Sequence, residues 1–416
     1  MTKVQLIHHK ETVKVPLNET TLVSLTEFIQ QKCPHLYGPE ASFHATPYLF
    51  NGHLQTGYAA YYKGTPSMDD ILYQREYLGM KDGGQVALDW FPALPAANST
   101  DAQDDGLLDT PTLVCMHGLT GGSHESYIRG ILEVVTATPF NYQSVVINNR
   151  GCGKSELKTS QLFCGAYTED VRVALKRIQK QLKPGTPLIA IGFSLGANIL
   201  VKYLGEEGDR TPLTAAISVA NPFDFVRSMD CLESGTFSKN VYSAGMATNL
   251  KNVFKLHEEI LQTNERIDKD NVMAVTTLRE FDEAFTRRMF GYDSTHHYYF
   301  DASSSRKIEH VKIPLLCLNA LDDPIANYQC LPIEQVQSNP NVILALTPHG
   351  GHIGWFEHFR QPSRWMNIPL IEFITAVFQA HDRRLLTDDV STTPQVIDPD
   401  DVAKTVESIE HEKGLA

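Results

Sequence analysis

No stretch of this 416-residue sequence approaches the roughly 20 consecutive apolar residues needed to span a bilayer. The first twenty residues, MTKVQLIHHKETVKVPLNET, also lack the apolar segment of about 7–15 residues that marks a secretory signal. Positive charge is scarce too: 36 Lys and Arg stand against 49 Asp and Glu, a formal net charge of −13, so no basic face awaits nucleic acid. The seven cysteines (Cys33, Cys115, Cys152, Cys164, Cys231, Cys317 and Cys330) are odd in number and show no C-x-x-C spacing, which points to a reducing compartment. The expectation is an intracellular, cytoplasmic protein whose membrane contact, if it has any, is peripheral. Without a secretory route, the glycosylation sequons at Asn18 and Asn98 read as chance matches.

What is present is a large stock of core. Apolar residues make up 42% of the chain, and Gly (27) and Pro (22) are at ordinary levels, which excludes a disordered or fibrous protein. Charge is unevenly placed. Eight acids against two lysines lie between Asp388 and the end, and four acids and no base between Asp101 and Asp109. Residues 1–40 read as a polar N-terminal extension with a helix at Leu22–Gln31. REYLGM and QVALDWF flank Lys81-Asp82-Gly83-Gly84, the signature of an antiparallel hairpin. The Pro- and acid-rich stretch from Pro92 to Asp109 reads as a surface loop. Then come TLVCM (112–116), SVVINN (144–149), PLIAIGF (187–193), TAAISVA (214–220), PLLCLNA (314–320) and VILALT (342–347). Short, wholly apolar strands separated by helical patterns imply a mostly parallel α/β sheet covered on both faces.

Between Asn221 and His310 the strand signal is replaced by amphipathic pieces such as NLKNVFKLHEEILQ. Some 90 residues is too long for one crossover, so 221–310 reads as an inserted helical cap within a core formed by 41–220 and 311–384. Its Phe223, Phe225, Met229, Phe237, Met246, Phe254 and Leu256 could line an apolar channel, although each taken singly fits ordinary core packing. The last core helix is expected at Pro369–Ala380, and residues 385–416 read as an acidic, disordered tail.

The sharpest motif is Gly192-Phe193-Ser194-Leu195-Gly196, which follows the strand PLIAIGF and opens the helix LGANILVKYLG. In that setting G-x-S-x-G places a nucleophile on a strained strand-to-helix turn, and a Cβ at either glycine would collide with backbone. Chance yields such a pentapeptide on the order of 0.1 times in this length. A serine hydroxyl needs a base, and the base needs an orienting carboxylate. The chain supplies both in the order serine, acid, histidine. PLLCLNA ends in Leu321-Asp322-Asp323-Pro324, and VILALT ends in Pro348-His349-Gly350-Gly351-His352. Asp323 precedes a proline and His352 follows two glycines, so these are the preferred acid and base, with Asp322 and His349 as the alternatives. Upstream, Met116-His117-Gly118-Leu119 forms a turn after the first core strand. The amides of Leu119 and Leu195 are the expected oxyanion hole, and His117 is expected to bond within its own turn.

Together with PYLFNGHLQT (47–56), HGLTGGSHESYIRG (117–130), NRGCG (149–153), GFSLGAN (192–198), NPFD (221–224), LNALDDP (318–324) and HGGHIGW (349–355), these residues resemble the YheT-like branch of the AB-hydrolase superfamily. That branch includes mammalian α/β-hydrolase-domain lipid hydrolases, monoacylglycerol lipases and fungal medium-chain fatty acid ethyl ester synthase/esterases. The resemblance runs from about residue 40 to 380. It implies the α/β-hydrolase fold, a Ser194–Asp323–His352 triad, acyl-ester or acyl-CoA substrates, water or an alcohol as acceptor, and association with lipid droplets or mitochondrial surfaces.

Two other patterns imitate sites. Gly153-Lys154-Ser155 resembles the end of a phosphate-binding loop, but the first glycine of G-x-x-x-x-G-K-[ST] would fall at Asn148. His297 and Asp301 form H-x-x-x-D, a spacing that 16 histidines and 49 acids produce easily. The expected activity is that of a serine esterase or lipase on medium-chain acyl esters, using no metal or cofactor, with acyl transfer from acyl-CoA to an alcohol as a second outcome of one acyl-serine intermediate. A monoacylglycerol lipase or phospholipase, a serine peptidase, and a non-catalytic lipid-binding scaffold are the other readings.

Overall fold

The six apolar segments become parallel strands because helices cover both of their faces. In the computed structural model, which describes residues 2–18, 20–62, 71–95, 106–382 and 396–414, they form most of a nine-stranded sheet. Its strands are β1 (Gln5–His8), β2 (Gln74–Gly79), β3 (Gln85–Phe91), β4 (Thr112–Met116), β5 (Gln143–Asn148), β6 (Leu188–Phe193), β7 (Ala215–Val219), β8 (Leu315–Ala320) and β9 (Val342–Thr347). The spatial order is β1-β9-β8-β7-β6-β4-β5-β3-β2. Strands β4 to β9 run parallel, and the β2–β3 hairpin and β1 add antiparallel edges.

Side chains alternate between the two faces, as the pleat requires. Leu113, Cys115, Ile189, Ile191 and Phe193 join the core under helices Leu25–Lys32, Ser126–Thr136 and Asn367–His381. Val114, Met116, Leu188 and Ala190 face helices Glu169–Gln179 and Leu195–Glu207. Each fully buried Leu, Ile or Phe contributes about 1.5–3 kcal/mol, so the two layers hold the sheet firmly. From β4 the chain turns to β5 on one side, whereas from β6 it turns to β7 on the other. The carboxyl ends of β4 and β6 therefore flank the point where connections diverge and leave a crevice.

Two expectations at the ends of the chain need correction. Residues 1–40 are no mere extension: β1 pairs antiparallel with β9 and caps the sheet edge, and Val15, Leu25, Phe28, Ile29 and Leu36 are buried in the core. The unpaired backbone of β9 needs a partner, and a four-residue strand with mixed side chains supplies one without a periodic signal. The helix there is Leu25–Lys32, set by a Ser24–Glu27 capping box. The tail expected to be disordered holds a helix, Pro399–Gly414. Asp400, Asp401 and Glu407 are exposed, while Val402 and Val406, with Ile397 just ahead, are buried in the core that includes helix Asn367–His381. Composition hid this amphipathic spacing. Residues 96–105, most of the acidic loop, and 383–395 lie outside the described residues.

Between β7 and β8 the described residues are helices and turns, from Phe225–Ser234 to Ser304–His310. Asn198 fixes where this segment returns to the core. Its amide donates to the carbonyls of Gly165 (3.1 Å) and Ala302 (2.8 Å), and its oxygen accepts from the Ser304 amide (3.1 Å). Among the described residues no helix is long and apolar enough to cross a membrane.

Candidate active site

Strand β6 ends at Phe193 and helix Leu195–Glu207 begins two residues later, so Ser194 alone must redirect the chain. It does so at φ +51°, ψ −116°, a conformation that costs a non-glycine residue on the order of 1–3 kcal/mol. The Ser194 amide is held by the Val219 carbonyl at 2.9 Å. Glycine is required on both sides. A Cβ on Gly192 would stand 2.6 Å from the Gly196 oxygen, and one on Gly196 would stand 2.5 Å from the His117 oxygen.

Asp323 and His352 arrive on loops after β8 and β9. Asp323 is fully buried, and its Oδ1 accepts from the amides of Ile325 and Ala326, both at 2.8 Å. Its Oδ2 lies 2.9 Å from His352 Nδ1, and His352 Nε2 lies 2.8 Å from Ser194 Oγ. A carboxylate at Nδ1 selects the tautomer that carries its proton there, leaving Nε2 free to accept from the serine hydroxyl. Asp322 and His349 lie one step away and pair with each other. Asp322 Oδ2 is 3.0 Å from His349 Nδ1, its Oδ1 accepts from the Gly351 amide at 2.9 Å, and the His349 side chain is 46% exposed. This outer pair fastens the two loops together and leaves Ser194 to the inner one.

The histidine loop has a support that sequence reasoning missed. Thr56, on helix Gly52–Tyr61, accepts from the His352 amide at 2.9 Å and donates to the Gly52 carbonyl at 2.6 Å. Buried Gln55 donates to the carbonyls of Leu49 and Phe356 and accepts from the Phe356 amide. Gly351 sits at φ +59°, and a Cβ there would stand 2.5 Å from the Gly52 oxygen. PYLFNGHLQT was visible only as a pattern. The available local signal was Asn51, whose side chain caps the helix by accepting from the Leu54 amide. Its partners lie some 300 residues away.

The turn after β4 packs against the nucleophile, since a Cβ on Gly118 would lie 3.4 Å from Ser194 Cβ. His117 does bond within the turn. Its Nδ1 donates to the Gly118 carbonyl at 2.7 Å, and its Nε2 accepts from the Asn149 amide at 3.1 Å. Burial pulls its pKa down to about 4, so the ring stays neutral. Leu119 and Leu195 both border the cavity onto which Ser194 opens, and Leu195 is the first residue of its helix, where amides have no partner within the helix.

That cavity offers about 90 Å3 to the centres of water-sized molecules and opens to solvent. Of the apolar residues singled out in 221–310, Phe225, Met229 and Met246 border it. The others do not: Phe223 and Phe254 are fully buried in the core beneath, and Phe237 and Leu256 are exposed. Helical spacing alone could not separate these environments. Leu232, Leu250, Leu278, Tyr298 and Tyr299 also line it from this segment, together with Asp282, whose carboxyl burial pushes up to about 6. The remaining patterns are structural. Asp301 accepts from Lys202 Nζ (2.9 Å) and Tyr292 Oη (2.6 Å), while His297 is half exposed beside Asp293. Ser155 donates to the Cys152 carbonyl within its own turn.

The chain matches the family model described as alpha/beta hydrolase fold over residues 111–359, more than half its length. It is 33% identical to a Saccharomyces cerevisiae monoacylglycerol lipase across 89% of this chain and 90% of that protein. It is 36% identical to the Mus musculus phospholipase ABHD3, covering 80% and 77% of the two chains. Identity to the Saccharomyces cerevisiae medium-chain fatty acid ethyl ester synthase/esterase 2 is 29%, over 85% and 89%. A nucleophile turn between β6 and its helix, an acid after β8 and a histidine after β9 thus come with family and relatives of one kind, and the chain belongs to the alpha/beta hydrolase fold family.

Proposed function

We propose that this protein is a serine hydrolase of lipid acyl esters that works through an acyl-Ser194 intermediate. The observation that carries the reading is the hydrogen-bonded series Ser194 Oγ, His352, Asp323, with steps of 2.8 and 2.9 Å, opening onto a largely apolar cavity. Residues 41–220 and 311–384 act as the catalytic core, with 221–310 as its cap. Ser194 Oγ attacks the carbonyl carbon as His352 Nε2 takes the hydroxyl proton, and buried Asp323 steadies the imidazolium. The amides of Leu119 and Leu195 hold the oxyanion. Collapse of the tetrahedral intermediate breaks the ester bond, and His352 returns the proton to the departing alcohol. Water then enters and gives a proton to His352 as its oxygen bonds the acyl carbon; the acyl–Oγ bond breaks, His352 returns the proton to Ser194 Oγ, and the free acid leaves.

An alcohol entering in place of water would yield a new ester, and an acyl-CoA donor would release the CoA thiol, so synthesis and hydrolysis share the site. Medium-chain substrates are supported by the name of the ester synthase/esterase relative, and monoacylglycerols or phospholipids by the names of the others. Seven free thiols fit a reducing, cytoplasmic location. Peripheral contact with a lipid surface, such as a droplet or mitochondrial face, is favoured by exposed Phe237. Its ring lies 5.2 Å from His53, next to the Gly52 that supports the histidine loop.

Product analysis of wild type and Ser194→Ala tests the reading, with ethyl octanoate, a monoacylglycerol, and octanoyl-CoA plus ethanol in separate reactions. Wild type should release octanoic acid from the ester and the variant none. Ester synthesis retained by the variant would overturn the Ser194 mechanism for that activity, and a biological effect kept by a variant without activity to lose would favour the scaffold.

A further inference from the structure

Most of the cavity wall contributed by the helical segment is apolar or aromatic, but Asp282 is a carboxylate. It borders the same space as Met229, Leu232 and Leu278 and is only 6% exposed. Its hydrogen-bond partner is a hydroxyl: Tyr299 Oη donates to Oδ2 at 2.9 Å, and Thr286, one turn on, borders the same cavity. The turn carrying it, Asp282–Thr286, is π-helical, a rare geometry that recurs at functional sites. Ser194 reaches the cavity from the sheet, and Asp282 reaches it from the helical segment packed over the sheet.

A carboxylate offers about four acceptor positions and no donor. The Tyr299 hydroxyl occupies one of them, leaving acceptor capacity beside the cavity. A chain ending in a methyl group would leave that capacity unsatisfied in a dry pocket, which is costly. A chain ending in a second carboxylate would add like charge. A chain ending in a hydroxyl would give the acceptor a donor, and such bonds to charged groups are the stronger ones.

We propose that Asp282, fastened by Tyr299, is a specificity-determining residue that reads the distal end of the bound acyl chain, accepting one that ends in a hydroxyl and rejecting one that ends in a carboxylate. The inference rests on the acyl-ester reading above. It differs from a strut role for Asp282, which would tie the π-helical turn to helix Thr295–Ala302 through Tyr299 and would affect every substrate alike.

The test is kcat/KM for ethyl esters with acyl chains of six to twelve carbons, each as the plain, ω-hydroxy and ω-carboxy form, with wild type, Asp282→Asn and Asp282→Leu. At the chain length that reaches Asp282, the ratio of ω-hydroxy to plain ester should be about tenfold higher in wild type than in Asp282→Leu. Asp282→Asn keeps the shape and an acceptor oxygen but adds a donor, so it should recover part of the ω-carboxy activity, and it decides the matter if the leucine variant does not fold. Equal ratios in all three proteins along the whole series would overturn the proposal. Calorimetric binding of the same esters to Ser194→Ala keeps the two readings apart. If wild type hydrolyses no ester, the serine-hydrolase reading fails, while the hydroxyl preference in binding still stands or falls by itself.

Discussion

Two acid–histidine pairs bridge the same two loops, one residue apart on one side and three on the other. Asp323 is buried and His352 nearly so, and the histidine meets Ser194. Asp322 and His349 have similar separation, 3.0 Å against 2.9 Å, yet face outward and clamp loop to loop. Pairing alone therefore does not separate the two. Only the inner acid is fully buried with two backbone donors, and only the inner histidine has a third partner, at Ser194.

The comparison breaks most sharply at the inner pair. Ser194→Ala and His352→Ala should each lower kcat about a millionfold, and Asp323→Asn about 10⁴-fold through loss of the tautomer, measured by ester turnover in enzyme free of wild-type contamination. Next comes the support between the pairs. Thr56→Val removes the oxygen that accepts from the His352 amide and should reduce kcat/KM about tenfold, mostly in kcat. The outer pair should matter least to chemistry: His349→Ala is expected to change kcat less than about threefold while lowering thermal stability slightly, because a half-exposed side-chain hydrogen bond contributes about 1 kcal/mol or less. A loss at His349 equal to that at His352 would reverse the assignment.

A third histidine sharpens the contrast through pH. His117 is held neutral in the fold with its pKa depressed from 6.5 to about 4. Because the unfolded chain takes up the proton first, the stability linked to this ring is fully present above about pH 6.5 and is lost as pH falls toward 4. The loss amounts to about 3 kcal/mol. Denaturant unfolding at several pH values checks this, and His117→Gln, which cannot take the proton, should shrink that acid limb.

The legible parts of the molecule were those written in local pattern. All six apolar strands, the hairpin at Lys81–Gly84 and the helix after Ser194 sit where periodicity and turn residues placed them. The parts that escaped depend on distant partners. The edge strand Gln5–His8 exists because β9 lacks a neighbour, and the helix Pro399–Gly414 is held by a core more than 20 residues upstream. Thr56 and Gln55 serve a loop that follows them by nearly 300 residues. For Phe254 and Met246, helical spacing was the same kind of signal, and only packing decided that one is core and the other borders the cavity.

By itself the sequence determined that one serine would stand on a strained strand-to-helix turn, since glycines on both sides permit no other neighbour, and that an acid and a histidine would follow on later strand ends. The tertiary structure decided which acid meets which histidine. Asp322 and Asp323 differ by one residue in the chain but pair with different histidines, and only the surrounding backbone donors and the packing of Gly52 and Thr56 bring His352, rather than His349, to Ser194.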